Sequence, residues 1–592
     1  MAIVFSIFSA PNSIGAPTLP FSTTASPYVE GTDDAAVVFD PVDVSRIQLD
    51  VEESVIDYFR YCCNWEYEGP WMEAQLTMTV KGETVGPLLV GFHLKGAWGS
   101  WRGIDTKPGI KIKVDAFVEN QRIFGVKKLI LNNMAQEGSA FNQQLTMRLF
   151  RAMGVPASRT GYTNLRINDL NYGLYTLIES LDRVSLPRWF ETTKHLYKGG
   201  VPYHWADLVP EFEYVFQVET GSLTNRQDLM PLLQANVAED WWTEINKVAD
   251  MQEMVREWAV EQTVGHWDGY SYNGNNYYLH ADENGIFSMI PWGVDNTWGG
   301  PIDYRWTNKL MSQRCIQTPE CFAMYVQAVA DATYAIKELD LDQMAQDISE
   351  RINLELQDNV EPYWRHEWFF SNSLADIEWN QSNTRSILNG NYEWAMGAYW
   401  DWDRNLPEIK IYDSALKSLA VDGEDVAIPV AKNDLPTIFV APGTKSVDLD
   451  IQTRQAGATF SVSENNNFVT GLNEVRIEIT SINGESTQTY EVPIYVVKNT
   501  VKKVTTNYSV ANNTFSKDAV TAIKSMGINV AIFAKKNVQV TAMSSSSKGK
   551  ALLNSVLKIL KNVGVKNIEK KNHIFDKNLK KGKLKLQISF QQ

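Results

Sequence analysis

No stretch of the 592 residues runs to about 18 consecutive apolar side chains, so nothing in the sequence is built to cross a bilayer as a helix. No Lys or Arg precedes the short apolar run in MAIVFSIFSAPNSIGA, which therefore lacks the basic start of a secretory signal. The expected location is the cytoplasm, or a virion or surface assembly. Cysteine is scarce: Cys62 and Cys63 are adjacent, and Cys315 and Cys321 stand close together in RCIQTPEC. Four Cys in two clusters without a nearby His make neither a disulfide framework nor a zinc site. Plain thiols or one disulfide, Cys315–Cys321, are expected. Arginine is absent after residue 500 and tryptophan after residue 405, although the chain holds 19 Trp.

These absences divide the chain. Residues 501–592 carry 18 Lys against three acids, Asp518, Glu569 and Asp576, a charge of +15. The total is −15, so residues 1–500 hold −30. An acidic body and a basic tail are read first as a solvated Lys-rich surface and second as two surfaces for two kinds of partner. The Lys-rich helix expected over 548–562 lacks interleaved aromatics and Arg, so nucleic acid is not an expected partner. The Trp-rich stretch EWAMGAYWDW (393–402) is read first as packing and second as a sugar-stacking surface.

Four segments follow. Residues 1–35, rich in Ser, Thr, Pro and Ala, read as an extended N-terminal arm. Residues 36–405 read as one α+β domain with its core at about 85–380. Alternation in QLTMTV (75–80), GFHLK (91–95) and GIKIKVD (109–115) predicts strands. SAFNQQLTMRLFRAM (139–153) has Phe141, Leu145, Leu149 and Met153 at helical spacing, and Gly154 ends it. Residues 223–264 and 320–357 are expected to be helical. Residues 406–500 alternate in short runs separated by turns such as Asn483-Gly484, the pattern of an all-β sandwich of cadherin-like or Ig-like type. Residues 501–592 read as a small, basic α/β domain.

The chemistry concentrates in WDGYSYNGNNYYLH (267–280) and IPWGVDNTWGG (290–300). Asp268 and Asn276 lie eight residues apart across a Gly/Asn-rich loop. A hairpin turning at ADENG (281–285) follows, and Asp295 stands just past its return strand. Phosphoryl transfer needs a carboxylate for the incoming hydroxyl and oxygen ligands for a magnesium ion on the phosphates, and this set supplies them. The competing reading is that Asp, Asn and Gly are simply turn residues. HisArgAsp and AspPheGly are both missing, which excludes a common protein kinase. His266 is read as structural.

The run WDGY…NNYYLH…GIFSMIPWGVDNTWG resembles the signature of the spore-coat CotH kinase family. HLKGAWGSW (93–101), KPGIKIKVD (107–115), RLFRAMGVPASRTGYTNLRIN (148–168), YGLYTLIESLD (172–182) and LYKGG (196–200) resemble further family segments in the family's order. The resemblance implies an atypical protein-kinase-like fold, related to the secretory-pathway kinases, that uses ATP and Mg2+ or Mn2+ to phosphorylate Ser or Thr of a protein. It implies Asp268 as catalytic base and Asp295 and Asn276 as metal ligands. It implies a phosphate contact from Lys111, with Lys113 the competing choice because both face one side of a strand. Glu179 would sit at the nucleotide hinge, unless it pairs with Arg183 or Arg166 instead. Gly96 and Gly99 would let backbone approach the phosphates. Asn142 and Gln143 stand where the family tends to have an Arg-Glu pair, so the Lys–Glu ion pair of kinases is expected to be missing. Three functions remain open. One is an active kinase, with Ser544–Ser547 as a target on the chain itself. Another is a non-catalytic structural protein of a virion, coat or cell surface, binding assembly partners through the sandwich and the basic domain. The third is a carbohydrate-binding surface protein.

Overall fold

The computed structural model describes residues 26–359, 374–393, 409–496 and, beyond 502, five strands with a few helical residues near Leu553, apart from interruptions at 65–66, 98, 200–205, 301, 304–305 and 430–434. Most of the expected N-terminal arm, the Trp-rich stretch from 394, most of the Lys-rich helix and Ser545–Ser547 lie outside the described residues. The chain divides into two units. Both helices and sheets are present, so the class is α+β.

The first unit spans residues 1–415 with two short later segments. It opens with strand β1 (Val44–Asp50), helix α1 (Glu53–Cys62), then β2 (Met72–Val80), β3 (Glu83–Lys95), β4 (Gly109–Lys113) and β5 (Lys128–Asn132). Helix α2 (Asn142–Ala152) and strands β6 (Thr160–Ile167) and β7 (Leu170–Glu179) follow. These seven strands close a barrel in the order β1-β2-β3-β4-β5-β7-β6. Closure is made by β1 and β6, which pair in parallel. Alternate residues point inward, as the two-residue period of a strand demands. Ile47, Leu76, Met78, Phe92, Ile112, Leu129 and Leu177 thus fill the interior.

Beyond the barrel, β8 (His195–Gly199), β9 (Gln217–Thr220), β10 (Tyr277–Ala281) and β11 (Phe287–Pro291) form a second sheet in the order β11-β10-β8-β9. Helices α3 (Leu229–Val237), α4 (Trp241–Ile245), α5 (Met251–Val264), α6 (Tyr270–Asn273), α7 (Leu310–Gln317), α8 (Pro319–Glu338), α9 (Leu341–Asn359) and α10 (Leu374–Glu393) complete the unit. α5 packs on α8 and β11, burying Met254, Val255, Trp258 and Ala259 among residues of the second sheet. α2 packs Leu145, Leu149, Phe150 and Met153 against α8 and α9, which confirms the spacing read from the sequence. Residues Tyr28 to Asp33 are pinned down: Glu30 pairs with Arg148 (3.0 Å) and Arg151, and Asp33 with Arg159 (3.0 Å). Both cysteine pairs are bonded, Cys62–Cys63 as well as Cys315–Cys321, where at most one disulfide was expected. Among the described residues no helix is long and apolar enough to cross a membrane.

The second unit holds β12 (Leu416–Val421), β13 (Glu424–Asp425), β14 (Ile438–Val440), β15 (Leu449–Thr453), β16 (Thr459–Ser463), β17 (Gly471–Thr480) and β18 (Thr487–Val496). They make a three-stranded sheet, β13-β12-β15, and a four-stranded one, β14-β18-β17-β16. Leu419 and Val421 from the first share a core with Val475, Ile477, Val492 and Ile494 from the second. The remaining strands, β19 (Lys503–Ala511), β20 (Thr514–Phe515), β21 (Lys536–Ser544), β22 (Ile568–Phe575) and β23 (Lys583–Gln591), form a five-stranded sheet in which β21 and β22 run parallel.

Candidate functional site

The barrel wall formed by β3, β4, β5 and β7 has two chemically different faces, and the register assigns every residue to one. Phe92 pairs with Ile112, Ile112 with Leu129, and Leu129 with Glu179. That row faces the apolar interior. The alternate row is His93, Lys111, Ile130 and Ile178, with Lys113 opposite Lys128 and Asn132 opposite Thr176. It faces outward. Lys111 and Lys113 do share one face, as expected. Lys198 and Tyr278 of the second sheet, and Glu219 of β9, lie within electrostatic range of Lys95, Glu68 and Lys128, so the outer face of the wall looks toward that sheet.

Asp268 is positioned by the end of α5. Gly265 takes a left-handed conformation (φ 71°) that stops the helix. The buried Glu261 carboxylate then accepts the N–H groups of Tyr270 (2.8 Å) and Ser271 (3.0 Å). A Cβ at Gly269 would lie 1.8 Å from Glu261 Oε1, so only glycine fits beside Asp268. The Asp268 carboxylate accepts side-chain amides from Asn273 (2.5 Å), Asn275 (3.3 Å) and Asn276 (2.8 Å). Asn276 is itself left-handed (φ 50°), a conformation its side chain tolerates. Its carbonyl accepts the Trp292 N–H (2.8 Å), and its side chain fills the space where a Cβ on Gly293 would stand. Asp268, Asn276 and the loop leading to Asp295 are therefore neighbours.

Asp295 is only 8% exposed. Its Oδ2 accepts the amide of Asn132 (3.1 Å), which also donates to Gln143 (3.3 Å). Lys95, at the end of β3, feels Asp295. Burial, reinforced by Lys111, pulls the Lys95 ammonium down to about 8 against the opposing pull of Asp295 and Glu68. Glu137 is buried as well. Its carboxylate faces the N–H groups of Asn142 and Gln143 at the start of α2 but closes no hydrogen bond. Burial first, and then Asp295, push it well above the usual carboxylate range. Lys111 is held by Glu68 at 2.7 Å.

Glu179 is placed otherwise than the hinge assignment implied. Its side chain continues the inward row of Tyr175 and Leu177 rather than the outer face of Lys111. There it accepts Arg159 (2.8 Å) and Arg188 (2.6 Å), not Arg183 or Arg166, and it helps line a cavity of about 230 Å³ with Asp33 and Asp182. Two guanidiniums outweigh burial and keep it below the usual carboxylate range. Lys113 lies two residues further along β4 than Lys111, opposite Lys128. Gly96 and Gly99 stand in the loop after β3 with φ of 138° and 78°, Gly96 against the Trp101 backbone and Gly99 against Gln136. His266 is fully buried, with Nδ1 3.3 Å from Glu261, as a structural residue would be. Among the described residues no cluster of three or more His, Cys, Asp and Glu side chains is set to hold a metal ion. Sequence reasoning missed Lys95, Glu68, Asn132, Glu137 and Glu261. Only Lys95 carried a signal, standing directly before Gly96.

One face of α5 carries Glu253, Glu257 and Glu261, all buried at helical spacing. Burial first, and then Glu261, push the Glu257 carboxyl well above the usual range, which favours its protonated form. A raised acid opposes folding once the unfolded chain ionises. Its contribution is intact below about pH 4.5 and is lost as pH rises toward the folded value. Glu257→Gln should therefore match the wild type in acid and become the more stable of the two as pH rises. The gap should widen by about 1.4 kcal/mol for each pH unit over which only the unfolded chain ionises. Urea unfolding between pH 5 and 8 measures this, and parallel curves would contradict it.

Residues 96–401, more than half of the chain, match the family model described as CotH kinase protein. The inner spore coat protein H of Bacillus subtilis (strain 168) is 23% identical over 203 residues, covering 32% of this chain and 54% of that protein. The chain thus spans about half the length of that curated relative. Among solved structures, the crystal structure of a Helicobacter pylori proinflammatory kinase, CtkA, matches with a TM-score of 0.22 and 9% identity, over 48% of this chain and 90% of that one.

Proposed function

Because the chain belongs to the CotH kinase protein family, we propose that it is an atypical protein kinase that moves the γ-phosphoryl of ATP to a Ser or Thr of a protein substrate, with Mg2+ or Mn2+. The observation that carries this reading is that Lys95 lies within electrostatic range of both Lys111 and Asp295, two residues past the Gly293 against which Asn276 packs. We read residues 36–405 as the kinase-like domain, 406–500 as a β-sandwich and 501–592 as a basic module.

Each residue has a role set by its chemistry. Lys111 and Lys95 meet the phosphates. Asp295 has one oxygen engaged by Asn132 and the other available, and Asn276 turns its carbonyl oxygen toward Gly293. These donors suit a hard divalent cation, and Asp295 with Asn276 would hold it. When bound, the ion screens the phosphate charge. Asp268, held by three amides, accepts the proton of the incoming hydroxyl as the new O–P bond forms and ADP leaves.

A second reading has its own support. Gln143 at the start of α2 meets the barrel through an amide pair with Asn132, where a Lys–Glu pair would be expected of an active kinase. A non-catalytic scaffold of a coat, virion or surface assembly would tolerate this, and the curated relative is named as a coat protein. In that reading the sandwich and the basic module bind the assembly partners.

The full chain incubated with γ-labelled ATP and Mg2+ or Mn2+, alone and with a Ser/Thr-rich acceptor, separates the two. A kinase labels Ser or Thr. ATP with metal also raises its melting temperature, by the equivalent of about 2.7 kcal/mol at a hundredfold excess over Kd. No label and no metal-dependent shift would leave only the scaffold.

A further inference from the structure

The lysine that meets the phosphates needs a carboxylate to hold its ammonium in place. In this chain α2 cannot provide one. Gln143 is neutral and is engaged by Asn132. The carboxylate comes from elsewhere. We propose that Glu68, in the segment between α1 and β2, is the positioning residue that aims Lys111 at the phosphates. This rests on the kinase reading of the same site.

Three observations converge on Glu68. Its Oε2 accepts the Lys111 ammonium at 2.7 Å and lies 3.6 Å from His93 Nδ1. Burial alone would raise its carboxyl, yet Lys111, His93 and Lys95 together hold it below the usual carboxylate range, so the charged form is the one this environment selects. The described residues on either side of it are tied down. Asn64 and Tyr67 exchange backbone hydrogen bonds of 3.1 and 3.0 Å on one side of Glu68. On the other side Gly69 is left-handed (φ 85°), and a Cβ there would lie 2.8 Å from Cys63 Sγ, so that position is closed to any side chain. Trp71 then packs edge-on against His93, with ring centroids 4.1 Å apart. His93 and Lys111 are cross-strand neighbours, so one short segment braces both.

The geometry gives Glu68 a role through Lys111 and none with substrate. Without the carboxylate, the ammonium keeps its charge but loses its fixed direction. A displacement of about 1 Å at such a position costs on the order of 100-fold in rate. Transition-state stabilisation should suffer more than ground-state affinity, so kcat falls further than KM for ATP rises.

The test is a double-mutant cycle on the full chain, with Glu68→Gln, Lys111→Met and the double variant. Phosphoryl transfer gives kcat and KM for ATP, and each variant's melting temperature checks folding. Glu68→Gln should lose on the order of 10- to 100-fold in kcat/KM, and Glu68→Asp should recover part of it. In the Lys111→Met background the same change should do nothing further, because the group it acts through is gone. A wild type that turns over with losses that simply multiply, or with a silent Glu68→Gln, overturns the positioning role and leaves the kinase reading standing. A wild type that neither binds nor turns over ATP overturns both.

Discussion

Asp268→Ala should bind ATP as the wild type does and transfer almost none of its γ-phosphoryl. The base acts only on the acceptor hydroxyl, so its loss falls on the chemical step. A positioned general base contributes about 10²- to 10⁴-fold. The surroundings of Asp268 support so selective an effect. Three side-chain amides, from Asn273, Asn275 and Asn276, fix its carboxylate, while the fold of the loop rests on Glu261, which bonds the backbone behind it. Removing the carboxylate frees three amides at a half-buried position where water can reach them, and Asn276 is still held by its backbone bond to Trp292 and its packing against Gly293. The same preparation is assayed for label transfer and for the ATP-induced rise in melting temperature. A variant that keeps the shift and loses the label fits the assignment. One that transfers label at the wild-type rate returns Asp268 to the class of turn residues.

How much of this could be read in advance depends on how local each interaction is. The period-two pattern of GIKIKVD placed Lys111 and Lys113 on one face and Ile110 and Ile112 on the other, and the barrel keeps that division. The apolar spacing of α2 was equally plain. In YTLIE the adjacent Leu177 and Ile178 blur the alternation, so the inward row of Tyr175, Leu177 and Glu179 emerged only from the barrel register. Nor could the pattern supply the partners of Glu179, Arg159 twenty residues before and Arg188 nine after. Asp268 and Asn276 were legible because eight residues of one loop join them. Glu68 was not, because 43 residues separate it from Lys111 and no local spacing marks it. Asn132 and Asp295, 163 residues apart, meet only once the barrel and the second sheet have been assembled. Gln143 at the start of α2 accepts from Asn132, and the carboxylate proposed to hold Lys111 lies in a segment with no helical signal at all.

Asp295→Asn should remove the metal dependence of nucleotide binding and, with it, transfer. The change is isosteric, and the new amide oxygen still accepts from Asn132, so the local structure has no reason to move. What disappears is the charge. In the wild type that charge lies within electrostatic range of the Lys95 ammonium and of the buried Glu137 carboxyl. Neutralising it removes one of the influences that raise the Glu137 carboxyl and weakens the attraction for Lys95. The nucleotide-free variant should therefore melt at or near the wild-type temperature, and any change in ATP binding reports on the ion. Transfer should fall by about 10³-fold, equivalent to roughly 4 kcal/mol of charge stabilisation. The ATP-induced rise in melting temperature should shrink to the value measured without Mg2+ or Mn2+. The contrast with Asp268→Ala is the point of the pair: one variant keeps metal-dependent binding and loses chemistry, the other loses both. If Asp295→Asn retained a full metal-dependent shift, the ion would have to sit elsewhere. The buried, unbonded carboxyl of Glu137 would then be the first group to test in its place.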